Sequence, residues 1–418
     1  MYETFTLSNG LRVIAEPIPH FRSVSVGLWV GAGSMYEKAE ENGLSHFLEH
    51  MLFKGTQKRT AKEIAEEMDG IGGNINAFTA KECTCYYAKV MDEHLPVAMD
   101  VLCDLLRNAT MDAAELDKER GVILEEIAMV EDTPDDIVHD LLGDAAYEGS
   151  SLAQTILGPA ELISGYQRDD LLRYRATHYR PDNTVLAVAG RYDMAQLREL
   201  AETLLGDWTA QPAPEMDGKV PAFTTGLRRK AKEVEQVHVC IAYPGLEIGN
   251  TDSYPLAIFN NLFGGGMSSR LFQRIREESG MAYSVYSYPT SFPGTGLYTL
   301  YAGTSPQHVE KVLEMLREEV DRVLREGVGD GEFRKAREQL KGGYILGLES
   351  TSSRMSSIGR GKLMLNRVRS EDEVLELING VTLDDVMRVA RASLDGPNAA
   401  SVVGRDADKL PENTLLWR

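Results

Sequence analysis

Within residues 44–53, two histidines and a glutamate stand at spacings that matter for chemistry: His46, Glu49 and His50. At about 100° per residue on a helix, Leu44, Phe47, Leu48, Met51 and Leu52 share one apolar face, and His46, Glu49, His50 and Phe53 fall on the other. His46 and His50 then lie one turn apart, so both imidazoles can grip one metal ion, and Glu49 can reach a water beside it. The chemistry open to such a group is metal-assisted attack by water, with the glutamate as base.

The order H-x-x-E-H is that of the inverted zinc-peptidase motif. The competing explanation is an ordinary amphipathic helix whose polar side faces water. Histidine supplies only 8 of 418 residues, and a chance occurrence in a chain this long has odds on the order of one in a hundred.

Zinc in an open catalytic site needs a third protein ligand, often a carboxylate beside two histidines. Helical text from Asp112 to about Glu131 offers Glu119 and Glu126, seven residues apart and so on one face two turns apart. Glu126 or its neighbour Glu125 is the natural third donor, and periodicity leaves that choice open.

Composition sets the wider bounds. With 43% hydrophobic and 26% charged residues, the chain reads as an ordinary globular protein long enough for several cores. The 44 basic and 64 acidic residues give a net charge of −20, which opposes binding to nucleic acid or anionic membrane and favours basic peptides. No apolar run reaches the ~18 residues of a membrane-spanning helix, and strand-like text begins at Phe5. These features predict no membrane insertion and a cytoplasmic location. Cys83, Cys85, Cys103 and Cys240 form no C-x-x-C pair and read as buried free thiols.

Elements that must position the metal helix follow in order. Asn9-Gly10 turns a hairpin, Ser23 to Val30 alternates like a half-buried strand, and Thr60 to Met68 reads as a short helix. Asn74 to Thr79 and Cys83 to Val90 read as strands. If the first is an edge strand, its free backbone groups can hold an extended peptide by strand addition. Helical text spans Leu95–Leu106, a strand Thr184–Gly190 and a helix Met194–Leu205.

His46-Phe47-Leu48-Glu49-His50, followed by Glu126 within Glu119-Arg120-Gly121-Val122-Ile123-Leu124-Glu125-Glu126, resembles the pitrilysin/insulinase family of zinc peptidases, especially its two-domain, mitochondrial-processing-peptidase-like members. The resemblance covers essentially the whole chain. It implies one Zn²⁺ per chain held by His46, His50 and Glu126, with Glu49 as general base and Glu119 behind the ligands, orienting an imidazole. Asn76-Ala77-Phe78-Thr79 is similar to the family's substrate-pairing edge strand. Arg276 and Tyr283 match an Arg and Tyr that the family places in its C-terminal half, facing the metal helix and acting on the substrate.

A repeat supports two homologous halves. Residues 42–53 align at an offset of 210 with residues 252–263, and Glu115–Arg120 echoes Glu332–Arg337. In the second copy Leu256, Phe259 and Asn260 replace His46, Glu49 and His50, and Ala336 replaces Glu119. The chain is therefore expected to hold one metal site, within domain 1–210, followed by a proline-rich linker 211–223 and a ligand-free domain 224–418. The glycine-rich text from Gly264 to Gly266 lacks a phosphate-binding fingerprint and reads as a tight turn.

The expected fold is α+β: two homologous domains, each an antiparallel sheet backed by helices. The resemblance implies that they form a clam-shaped half-chamber, completed by a homodimer or a heterodimer. It further implies a metalloendopeptidase acting on unfolded oligopeptides or precursor peptides. The alternative is a non-catalytic structural or partner subunit of the same family, but such subunits typically lose zinc ligands that are all present here.

Overall fold

The computed structural model describes residues 2–209, 212 and 220–417. They divide into two units, one of Met1–Ile127, Thr155–Gly218 and Leu346–Ser370, the other of Ala128–Gln154, Lys219–Ile345 and Glu371–Arg418.

The first unit is built on strands β1 (Glu3–Thr6), β2 (Arg12–Pro17), β3 (Ser23–Val30), β4 (Asn74–Thr79), β5 (Thr84–Met91) and β6 (Thr184–Gly190). They form a sheet in the order β1-β2-β6-β3-β5-β4. The chain of the first half also forms helices α1 (Leu44–Leu52), α2 (Ala61–Gly70), α3 (Leu95–Asn108), α4 (Ala113–Asp132), α5 (Pro134–Ala146), α6 (Ala160–Gly165), α7 (Arg168–His178) and α8 (Met194–Leu205). Thr60 caps α2, its hydroxyl accepting from the Glu63 backbone N–H while the Glu63 carboxylate returns to Thr60.

The second half repeats this plan. Strands β7 (Leu227–Ala231), β8 (Val237–Pro244), β9 (Ala282–Phe292), β10 (Thr295–Thr304) and β11 (Ala399–Gly404) form a sheet ordered β7-β11-β8-β10-β9. That is the order of β2-β6-β3-β5-β4 in the first sheet, so the duplication legible at residues 252–263 extends to topology. The helices of this half are α9 (Ser253–Phe263), α10 (Val309–Glu326), α11 (Asp330–Gly347), α12 (Thr351–Leu365), α13 (Glu371–Gly380), α14 (Leu383–Leu394) and α15 (Glu412–Leu415).

Two features add detail to the expected plan. Each sheet is mainly antiparallel but contains one parallel pair, β2 with β6 and β7 with β11. The long helical excursion between β5 and β6 lets the later strand enter beside β2 in the same direction. Nor do the packing units follow the contiguous division 1–210 and 224–418. The segment containing α5 belongs to the second unit and the segment containing α12 to the first. The expected linker 211–223 lies largely outside the described residues.

This exchange explains why β3 is buried on both faces rather than half-buried. Val24, Val26, Leu28 and Val30 enter the main core with α1 and α3, while Trp29 packs on the other side with Met355 and Ile358 of α12. Trp29 Nε1 donates to Met355 Sδ at 3.3 Å, and Ser25 Oγ lies 2.9 Å from Thr351 Oγ1. The approach is close enough that a Cβ on Gly359 would fall 2.3 Å from Trp29 Nε1. In the second unit α5 plays the same part, with Ser401 Oγ donating to the Val138 carbonyl at 2.6 Å and Arg228 Nε bonding Asp144 at 2.6 Å.

All four cysteines are free and buried, as expected. Among the described residues no helix is long and apolar enough to cross a membrane.

Candidate metal centre

Helix α1 carries the centre because its apolar face is locked into the first core: Leu44, Phe47, Leu48, Met51 and Leu52 are all fully buried. Its start is fixed by Gly43, whose φ of +97° suits glycine and whose Cβ, if present, would meet the Leu157 carbonyl oxygen at 2.7 Å. Buried Glu37 serves as the cap. Its Oε1 accepts from the Ser45 backbone N–H at 2.7 Å and its Oε2 from the Gly43 N–H at 2.8 Å, placing its carboxyl oxygens at the positive end of the helix.

His46, Glu49 and His50 emerge half-buried from the opposite face. Helix α4 brings Glu126 to them, with Oε2 3.8 Å from His46 Nε2 and 3.7 Å from His50 Nε2. One donor atom from each of the three residues lies within 4.8 Å of the others. These separations are too long for hydrogen bonds, yet close to the roughly 3.3 Å between ligand atoms on a tetrahedron with bonds of about 2.0–2.1 Å. Two neutral imidazoles and one carboxylate suit zinc, and three protein ligands leave a position open. The donor set therefore fits the metal that the motif implies. Glu125, left open by periodicity, is exposed and stands outside this cluster.

The two imidazoles are held differently. Nδ1 of His50 lies 3.1 Å from Oε2 of buried Glu119, which only accepts when ionised, so His50 keeps its proton on Nδ1 and turns Nε2 toward Glu126. Among the described residues the buried Nδ1 of His46 has no hydrogen-bond partner. Burial, reinforced by neighbouring His50, pushes the His46 pKa down to about 4, keeping its ring neutral and able to ligate at neutral pH.

Glu49 is fixed from the sheet side, its Oε2 accepting from the Thr79 hydroxyl at the end of β4. Burial raises its pKa, opposed by the Thr79 bond and by His50. Strand β4 is the outermost strand of its sheet, as expected, pairing with β5 from Asn74↔Lys89 to Thr79↔Thr84. Asn76 is exposed, Ala77 half-buried, and Phe78 39% exposed with its ring edge-on to Trp29 at 5.6 Å.

Comparison with known proteins matches this arrangement. Residues 12–160 match the family described as Insulinase (Peptidase family M16), and residues 165–340 match the Peptidase M16 inactive domain. An uncharacterized zinc protease of Bacillus subtilis is 45% identical over 94% of this chain and 95% of its own length. The chain belongs to peptidase family M16. An uncharacterized zinc protease of Streptomyces coelicolor is 42% identical over 97% of this chain and 90% of its own. A protease from Helicobacter pylori of known crystal structure shares the two-domain fold, with a TM-score of 0.90 at 20% identity over 97% of this chain and 99% of that one.

In the second half of the repeat, Leu256, Phe259 and Asn260 stand at the positions of His46, Glu49 and His50. Leu256 and Phe259 are buried in the second core, and Asn260 Oδ1 accepts from Ser287 Oγ at 2.8 Å. Glycines at 264–266 serve close approach, since a Cβ on Gly264 would lie 2.5 Å from the Ser287 backbone nitrogen.

Arg276 and Tyr283 both belong to the second unit and stand together. The Arg276 guanidinium lies 5.6 Å from the centre of the Tyr283 ring and 4.7 Å from that of Phe272. Tyr283 is 73% exposed, so it does not pack beneath the sheet.

Sequence reasoning missed Glu37 as the cap of α1 and Lys54, whose Nζ lies 2.6 Å from Glu119 Oε1, and it placed Thr79 in the edge strand without its bond to Glu49. Lys54 carried a usable signal, standing one helical turn beyond His50. Glu37 and Thr79 carried none, because each reaches α1 from a separate element.

Proposed function

We propose that this chain is a zinc-dependent endopeptidase that hydrolyses unfolded oligopeptides or precursor peptides. The observation that carries this reading is the convergence of Glu126, from α4, on His46 and His50 of α1, on the helix face that also carries Glu49. His46, His50 and Glu126 would hold zinc, which when bound supplies the Lewis acidity that acidifies a water and polarises the scissile carbonyl.

Glu49 takes the proton of the attacking water and returns it to the leaving amine nitrogen. Thr79 occupies Oε2 of Glu49 and leaves Oε1 to carry that proton. Its burial raises the proton affinity of Glu49 toward what a neutral-pH base requires. The exposed backbone edge of β4 at Asn76–Thr79 would hold the substrate as an added strand. Tyr283 would donate to the oxygen that becomes negative, and Arg276 would bind the substrate backbone or a carboxylate.

In this reading the chain acts in the cytoplasm as a homodimer whose chamber admits flexible peptides, with net charge −20 favouring basic ones. The test is zinc content together with cleavage of an unbiased peptide library. Cleavage should vanish on chelation and return with metal, and Glu49→Gln should retain zinc while losing at least about 100-fold in turnover. A zinc-loaded wild-type protein that cleaves nothing would instead support the partner-subunit reading.

A further inference from the structure

Glu119 uses both carboxylate oxygens: Oε2 faces His50 Nδ1 at 3.1 Å and Oε1 faces Lys54 Nζ at 2.6 Å. The carboxylate is buried, its side chain 8% exposed, while the Lys54 side chain is 29% exposed. The backbone N–H of Lys54 donates to the Met51 carbonyl at 3.2 Å, so the last turn of α1 fixes where this lysine begins.

We infer that Lys54 is a positioning residue for the metal centre, clamping Glu119 so that its other oxygen sets the orientation and tautomer of His50. This rests on the reading of His46, His50 and Glu126 as zinc ligands. A carboxylate held at one oxygen can rotate about its last bond, and a buried one without a cation is strongly penalised. With Lys54 in place neither freedom remains, and His50 presents Nε2 toward Glu126. The clamp matters because, among the described residues, the buried Nδ1 of His46 has no hydrogen-bond partner, so His50 is the imidazole they orient by a side-chain hydrogen bond.

Lys54 also exerts an opposing effect, since its positive charge repels a dication. The two contributions separate in the Glu119→Gln background, where the clamp is gone and only the repulsion remains.

The test is zinc affinity by competition with a chromophoric chelator for wild type, Lys54→Met, Lys54→Arg, Glu119→Gln and the double variant Lys54→Met/Glu119→Gln. Melting of each metal-free protein reports its folding. Loss of the clamp should weaken zinc binding by about 10- to 100-fold in Lys54→Met, the usual range for groups supporting a ligand. Lys54→Arg should restore most of it, and in the Glu119→Gln background removing Lys54 should cause no loss. In the metal-free protein, imidazole ¹⁵N shifts should report a single Nδ1-protonated form of His50 in wild type and a mixture in Lys54→Met. Lys54→Gln is the second variant if methionine prevents folding.

Wild-type affinity in a folded Lys54→Met protein would overturn the inference, as would an equal loss in both backgrounds or an unchanged His50 tautomer. If wild type itself binds no zinc, the reading of the site falls first, which distinguishes the two failures.

Discussion

Thr79, the last residue of β4, donates its hydroxyl to Oε2 of Glu49 on α1, so the edge strand holds this carboxylate by a hydrogen bond across thirty residues of chain. The strand proposed to hold substrate and the carboxylate proposed to act on water are thereby positioned together. Thr79→Val keeps the shape and removes the donor. It should lower kcat by about 10- to 100-fold, with KM and zinc content little changed, since small misplacements of a base are costly. Thr79→Ser should retain most activity. Steady-state kinetics decide this, and a valine variant with wild-type kcat would remove Thr79 from the mechanism.

Glu126 and Glu125 are neighbours in sequence but not in surroundings. Glu126→Gln should weaken zinc binding by more than about 100-fold, because a charged donor is lost from the cluster itself. Glu125→Gln should leave it unchanged, as that carboxylate is exposed. Metal analysis after dialysis separates them, and equal occupancy would sink the assignment.

His178, at the end of α7, lies under the Tyr174 ring with centroids 4.3 Å apart. Burial, aided by Arg180 and Lys38, lowers its pKa from 6.5 to about 4. Above pH 6.5 the ring is neutral in both folded and unfolded chains and contributes nothing to the pH dependence. As pH falls toward 4 the unfolded chain takes up the proton first, so stability is lost over that window. By pH 4.5 this single group should cost about 2–3 kcal/mol relative to neutral pH. Urea unfolding of metal-free His178→Phe should show a correspondingly shallower decline, and parallel curves for variant and wild type would refute it.

The proposed homodimer gives a complementation test. If each site takes Tyr283 from the partner subunit, mixing Glu49→Gln and Tyr283→Phe chains, each inactive alone, should restore about a quarter of the wild-type activity through mixed dimers with one intact site. If both residues act within one chain, no activity returns. A protein that sediments as a monomer while cleaving at full rate would defeat the chamber itself.

How far the sequence reached follows from the range of the forces involved. The apolar and chemical faces of α1 were legible because a 3.6-residue period is written into adjacent residues, and Leu44, Phe47, Leu48, Met51 and Leu52 all proved buried. The strand Thr184–Gly190, the helix Met194–Leu205 and the turn at Asn9-Gly10 were legible for the same local reason. So was the repeat at residues 252–263, which the strand order of the second sheet bears out.

Periodicity could not choose between Glu125 and Glu126, which only the resemblance named, because a rotation of about 100° between neighbours matters once α4 has docked beside α1 and brought Glu126 to the two histidines. Docking likewise buried Glu37 beneath the start of α1, brought Thr79 to Glu49 and joined Lys54 to Glu119. The exchange of α5 and α12 between the two sheets was equally hidden. Each helix carries an ordinary pattern of its own, and the surface that buries it is supplied by strands far away in the chain, as Trp29 supplies the seat of Met355.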